Sequence, residues 1–170
     1  KVEQKIDTAN PEAYEFYLKA KHKYEKRGSI QDTEIARGLL KKAIELDNNL
    51  IAAKGWLGTT YREMGDYDKA MEIYTSALKQ AEELGDQRGM GYSLLSIGNV
   101  HSNKGDYDIA LEYHSRSLAI SKEIGYNRGI GCSLNNIGIV PWYKGDLDKA
   151  LDYYGRSLAI REEIGDKYGM

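Results

Sequence analysis

The sequence predicts an all-α fold, a solenoid built from antiparallel helix pairs. Three observations carry the prediction. First, one phrase recurs: Gly65-Asp66-Tyr67-Asp68-Lys69-Ala70, Gly105-Asp106-Tyr107-Asp108-Ile109-Ala110 and Gly145-Asp146-Leu147-Asp148-Lys149-Ala150. Its spacing of about 40 residues lies in the range that marks solenoids and arrays. Second, each phrase stops one helix and starts another. Glycine takes the left-handed conformation past a helix end, and the Asp that follows accepts orphan backbone N–H groups at the next N-terminus. Third, the intervening apolar residues fall mostly at helical spacing, as in Ile109, Ala110, Tyr113, Leu118, Ile120 and Ile124.

Taken in order, residues 1–10 read as a linker or frayed N-terminus. Asn10-Pro11 supplies an N-cap and a proline at the first helical position. The helix that follows carries Tyr14, Phe16, Tyr17, Leu18 and Tyr24 and ends near Arg27-Gly28. Ser29 to Asp47, with Ala36, Leu40 and Ala43, forms the second helix of a divergent first unit, 11–47. The later units span about 48–85, 86–125 and 126–165, with first helices starting near Gln87 and Asn127. Asp166 to Met170 repeats the start of a first helix, so a truncated fifth unit is expected, and 11–170 reads as one solenoid. Gly58, Gly98 and Gly138 recur inside the first helices, and Ala70, Ala110 and Ala150 in the second. Glycine costs a helix interior roughly 1 kcal/mol against alanine, so three in register call for a packing reason. Pro141 stands where Tyr61 and His101 stand, and a bend is expected there because proline removes one backbone bond and crowds the carbonyl of Ile137.

Trp56-Leu57-Gly58-x-x-Tyr61 followed by Gly65-x-Tyr67-x-x-Ala70-x-x-x-Tyr74-x-x-Ala77-Leu78 resembles the tetratricopeptide repeat family. The longer unit, with Ile97-Gly98-Asn99 and Gly85-Asp86-Gln87-Arg88-Gly89, looks like the Leu-Gly-Asn subtype of cytoplasmic scaffolds. The resemblance implies a right-handed superhelix whose first helices line a concave groove for a peptide or partner helix. The opening Asn10-Pro11-Glu12-Ala13-Tyr14, with Lys42-Ala43-Ile44-Glu45-Leu46-Asp47, is similar to repeat arrays attached to bacterial nucleotide cyclases, kinases and transcription regulators. A regulatory segment of such a signalling protein is the alternative to a free-standing scaffold or sensor.

Composition narrows the partner. A net charge of −2 favours neither nucleic acid nor an anionic membrane. One cysteine allows no internal disulfide and fits a reducing compartment, so a cytoplasmic location is expected. The chain starts Lys1-Val2 without methionine and reads as an excised fragment. Stepping ~100° per residue from the recurring glycine separates a packed stripe from an opposite one. The opposite stripe holds Ala52, Gly55, Thr59, Arg62 and Glu63, then Tyr92, Leu95, Asn99, Ser102 and Asn103, then Cys132, Asn135, Ile139, Trp142 and Tyr143. Arg88 and Arg128 fall on the same side at the helix starts. The set is poor in Lys and Glu and rich in Asn and aromatics. Asn can hold a backbone amide with donor and acceptor together, and an aromatic ring supplies contact area at small entropic cost. The candidate groove residues are therefore Arg62, Arg88, Tyr92, Asn99, Asn103, Arg128, Asn135, Ile139, Trp142 and Tyr143, with a protein or peptide as partner.

The carboxylate-gripping cations of chaperone-binding members of the family have no counterpart at Thr59, Asn99 and Ile139 or at Gly55, Leu95 and Asn135. His101 and His114 sit on facing helices without a third ligand and read as packing residues. Gly89-x-Gly91 and Gly129-x-Gly131 follow no strand and precede no Lys-Ser/Thr pair, so they are not phosphate loops. No catalytic constellation, metal or cofactor is expected. Weak self-association is expected through the C-terminal end, whose helix carries Leu151, Tyr154, Leu158, Ile160 and Ile164.

Overall fold

The computed structural model describes residues 10–165. Among them are eight helices and no strand: α1 (Pro11–Glu25), α2 (Ile30–Leu46), α3 (Ile51–Glu63), α4 (Tyr67–Leu84), α5 (Gln87–Lys104), α6 (Tyr107–Glu123), α7 (Asn127–Tyr143) and α8 (Leu147–Glu163). No helix among the described residues is long and apolar enough to cross a membrane. The chain divides into two compact units, residues 1–80 and 81–170. The expected N-terminal linker, up to residue 9, and the fifth repeat, 166–170, lie outside the described residues.

In the first unit, Asn10 belongs to the helix rather than to the linker. Its Oδ1 accepts from the backbone N–H of Glu12 at 3.0 Å and of Ala13 at 3.2 Å. Its Nδ2 donates to Leu46 O at 3.0 Å, which ties the start of α1 to the end of α2. Ser29 caps α2 by accepting from Asp32 N–H at 3.2 Å. The Lys23 ammonium, 2.5 Å from Asp32, and the Gly28 N–H hold that carboxyl down at about 2. Ala13, Tyr17, Ala20, Leu40, Ala43, Leu50, Ala53 and Leu57 form the core. Lys54 is also buried, where the later repeats have Leu94 and Leu134. Its ammonium donates to Gln80 Oε1, whose amide in turn donates to Asn49 Oδ1 at 2.7 Å. Burial pushes the Lys54 pKa down.

The helix stops are those the repeated phrase requires. Gly65, Gly105 and Gly145 have φ of 81°, 85° and 80°. The next N–H then reaches back across the turn, from Asp66 to Tyr61 O at 3.0 Å, from Asp106 to His101 O at 2.9 Å and from Asp146 to Pro141 O at 2.9 Å. Such a wrap satisfies carbonyls left open at a helix end. Asp66 and Asp146 then cap the following helix through Lys69 N–H and Lys149 N–H, at 3.1 and 3.2 Å. Asp106 departs from the expectation: its carboxylate lies 3.2 Å from His101 Nδ1 and makes no cap bond. Pro141 does not interrupt α7, which is one helix from Asn127 to Tyr143 and closes like α5. Pro141 has no N–H to give the Ile137 carbonyl, and the bonds after it are kept, Lys144 N–H to Val140 O and Gly145 N–H to Trp142 O, both at 3.1 Å.

In the second unit, Leu94, Ile97 and Val100 of α5 and Leu134, Ile137 and Val140 of α7 are buried. Three buried serines between them are paired: Ser117 Oγ donates to Gly91 O at 2.8 Å, Ser157 Oγ to Gly131 O at 2.8 Å, and Ser133 Oγ to Ser117 Oγ at 3.1 Å, whereas the buried Ser93 Oγ has no partner.

The recurring glycines have the packing reason the sequence calls for. A Cβ on Gly58 would stand 2.4 Å from the Tyr74 ring, on Gly98 2.5 Å from the His114 ring, and on Gly138 2.8 Å from the Tyr154 ring. Gly155 differs, with nothing within 4 Å of its Cβ position on exposed α8. Gly98→Ala is therefore expected to destabilise the chain by about 1–3 kcal/mol through overpacking. Gly155→Ala should stabilise it by about 1 kcal/mol through helix propensity. Chemical denaturation of the two variants reads both signs.

His114 is fully buried and takes the place of Tyr74 and Tyr154. Its Nε2 lies 3.5 Å from Ser102 Oγ, and its Nδ1 has no partner. Burial pushes its pKa from 6.5 down to about 4. The fold thus holds the neutral ring, whereas the unfolded chain protonates it near 6.5. This stability is fully present above pH 6.5 and is lost as pH falls from 6.5 towards 4, by up to about 3 kcal/mol. His114→Tyr should remove that part of the pH dependence, as read by melting temperature across the interval.

Candidate functional site

The outward faces of α5 and α7 form the candidate site of the second unit. Its position follows from the packing beneath it. Gly98 lies on His114 and Gly138 on Tyr154, so the residues on the far side of each first helix turn outward. Asn99, Leu95, Cys132, Asn135 and Ile139 are half-buried there, and Tyr92, Asn103, Trp142 and Tyr143 are exposed.

Two of the expected residues are brought together by a third. Asn136 Nδ2 donates to Asn99 Oδ1 at 2.6 Å, and Asn135 Nδ2 donates to Asn136 Oδ1 at 3.3 Å. Three carboxamides thus run in one direction from α7 to α5. The run leaves the Asn99 Nδ2 donors at one end and the Asn135 Oδ1 acceptor at the other. Turning all three amides over reverses the direction but still leaves one donor end and one acceptor end.

The corresponding position of the first unit is bonded differently. In the first unit, Thr59 at the position of Asn99 lies 3.0 Å from the Tyr74 hydroxyl. A histidine in place of that tyrosine has no hydroxyl to reach so far, and Asn99 pairs across to α7 instead. Asn136 escapes the sequence reading because it falls at about +160° around the helix, just past the selected stripe. A signal was present: Asn135-Asn136 stands where the other units have Gly55-Trp56 and Leu95-Ser96.

The remaining candidates are placed around the run but not joined to it. The Arg88 guanidinium lies 4.7 Å from the Tyr126 ring centroid, and Arg128 is exposed near the start of α7. Trp142 and Tyr143 are 54% and 63% exposed. Tyr143 turns to the end of the helix pair, where its ring stacks on Tyr107 with centroids 4.6 Å apart. Burial first, and then the Tyr143 hydroxyl, push the Tyr107 pKa up. Arg161 of α8, also absent from the sequence reading, reaches over Gly131 so that its guanidinium lies 3.9 Å from Cys132 Sγ. His101 and His114 do not converge: His101 stacks on Tyr113 at 5.7 Å, while His114 lies under Gly98.

Arg62 lies in the first unit and has a partner. Its guanidinium is 3.7 Å from Glu63, which pairs with Arg27 at 2.6 Å. Arg27 in turn covers the ring of Tyr24 at 3.8 Å. Burial and the nearby Glu63 carboxylate push the Tyr24 pKa up.

Comparison with known proteins follows this geometry. The sequence profile described as the tetratricopeptide repeat matches residues 49–123 and 89–163. A comparison with curated proteins finds no match. Among solved structures, the chain is similar to aspartyl phosphate phosphatase F from Bacillus subtilis, with a TM-score of 0.77 at 20% identity. It covers 95% of itself but only 43% of that protein, less than half of its length. The apo form of RapI is matched with a TM-score of 0.75 at 15% identity, over 96% of this chain and 60% of that one. The tetratricopeptide domain of Arabidopsis FLU is 29% identical, with a TM-score of 0.60 over 66% of this chain and 95% of that one. The first two likenesses, at 20% and 15% identity, speak for the all-α helical-repeat fold alone. The repeat profile spans more than half of the sequence, and the chain belongs to the tetratricopeptide repeat family.

Proposed function

We propose that the chain acts by binding another protein, and that the α5–α7 face holds an extended segment of that partner. The Asn99–Asn136–Asn135 run is the observation that supports the reading. An extended backbone offers an N–H and a C=O side by side, and the run ends in one donor and one acceptor. Leu95, Ile139 and Trp142 supply apolar contact beside it. Of the candidate set, Asn99 and Asn135 then hold backbone, Tyr92, Asn103, Arg128, Ile139 and Trp142 meet side chains, and Arg62, Arg88 and Tyr143 are left outside the face by their contacts with Glu63, Tyr126 and Tyr107. No bond-making step is assigned to any of them.

A peptide selected from a randomised displayed library against the whole chain supplies the ligand for a test. Asn99→Ala with Asn135→Ala should bind it roughly thirtyfold more weakly, since each of the two lost amide bonds is worth about 1 kcal/mol. Melting temperature should stay nearly unchanged, because both side chains are only half-buried. Unchanged affinity in a calorimetric titration would remove the two residues from the binding role.

We also propose weak self-association through α8. Leu151 and Leu158 are 63% and 43% exposed, whereas their counterparts Leu111 and Leu118 are half-buried on α6, which α7 packs against. Covering three such side chains at about 100 Å² each contributes roughly 7 kcal/mol. Association entropy costs a comparable amount, which makes the pairing reversible. Light scattering over a concentration series should show a rising mass that Leu151→Lys abolishes; a constant monomer mass would end this reading.

A further inference from the structure

The helices of the proposed binding face are unlike the rest of the chain in charge. α5 has 18 residues and α7 has 17, and neither contains an Asp or a Glu. With 26 acidic residues in 170, two such helices would carry about five at the chain's average, so the face is depleted of one sign of charge. The charges they do carry are cationic, Arg88 and Lys104 on α5 and Arg128 on α7. The acidic residues of this unit sit in the turns, at the end of α4 and on α6 and α8, such as Glu82, Asp106, Glu112 and Asp152.

Arg161 adds a second observation. It stands where the preceding repeats have Ala81 and Ser121, both buried small residues. In its place a long side chain crosses Gly131, with Cγ 3.4 Å from the position a Cβ there would take. The guanidinium arrives at Cys132, and among the described residues no carboxylate pairs with it. Every other repeat does without a cation here, so the fold does not need one. Cys132 and Asn135 are three residues apart on one helix face, which places the guanidinium about one turn from the acceptor end of the amide run.

We infer that the extended segment held by this face is acidic, with an Asp or Glu side chain pairing with Arg161 one helical turn from the backbone bond made by Asn135. The inference rests on the binding reading above and narrows it to one class of partner. Arg161 meets the carboxylate in a fork geometry, and the absence of carboxylates on α5 and α7 removes the repulsion that would oppose it. Arg128 adds to the positive potential at the same end of α7.

The displayed peptide library selected against the whole chain also tests this inference. Asp or Glu should be enriched at one position of the selected peptides over Lys and Arg. Arg161→Gln should weaken a selected acidic peptide about tenfold, as expected for a charge-assisted bond. It should also flatten the dependence of affinity on salt, with melting temperature unchanged. Lys104→Gln, at the far end of α5, should change affinity less than twofold. Neutral or basic peptides whose binding depends on Asn99 would overturn the acidic class and leave the binding face standing. Acidic peptides bound equally by Arg161→Gln would overturn the role of Arg161. A library that yields no binder would overturn both readings.

Discussion

A ring lying on bare helix backbone sets the geometry of this protein. Tyr74 under Gly58, His114 under Gly98 and Tyr154 under Gly138 occupy the space where a side chain would begin. Each contact brings a first helix close to its own second helix and fixes its rotation about its axis. Once that rotation is fixed, the outward stripe is fixed too. A methyl group at any of the three sites would push the pair apart and turn the stripe, since a packed interior has little room to yield. The roughly 1 kcal/mol of lost helix propensity at each glycine is offset by this approach.

The ring position differs between the helix pairs, and so does what lies beside it. A tyrosine in the ring position reaches through to Thr59, and the first helix is bonded inward. Histidine in that position is shorter and leaves Nδ1 unsatisfied, a cost to the fold. What is gained is an Asn99 that faces sideways and meets Asn136 of the next first helix.

Most of the fold was legible in the sequence because its signals are local. A glycine at a helix end stops one helix before the next starts with few outside contacts, and six such glycines have positive φ, five of them followed by Asp and Gly125 by Tyr126. The failures lie where a residue's partner is distant in sequence. Asp106 was expected to cap α6, but His101 takes its carboxylate. Asn136 was missed because a wheel sorts residues by angle and ignores what a neighbouring helix presents. Arg161 was missed because it belongs to a second helix and reaches a first-helix face only by crossing Gly131. Tyr143 was placed on the correct helix, but its ring stacks on Tyr107, a partner the repeat period does not reveal.

The energetics of the α5–α7 face follow from its being already paired. Asn136 is bonded to both neighbours, so Asn99 and Asn135 are held in one orientation before any partner arrives. Less side-chain entropy is then lost on binding. The same pairing lets the empty face stand without strain, because each remaining donor or acceptor is open to water. Two backbone bonds exchanged with water contribute only about 1 kcal/mol each, which is far too little for a stable complex. Affinity must therefore come from apolar contact with Leu95, Ile139 and Trp142 and from charge, while the amides fix where the backbone lies. On the proposed reading, such a face would select for an extended chain through its amides and among extended chains through Arg161 and its lack of carboxylates.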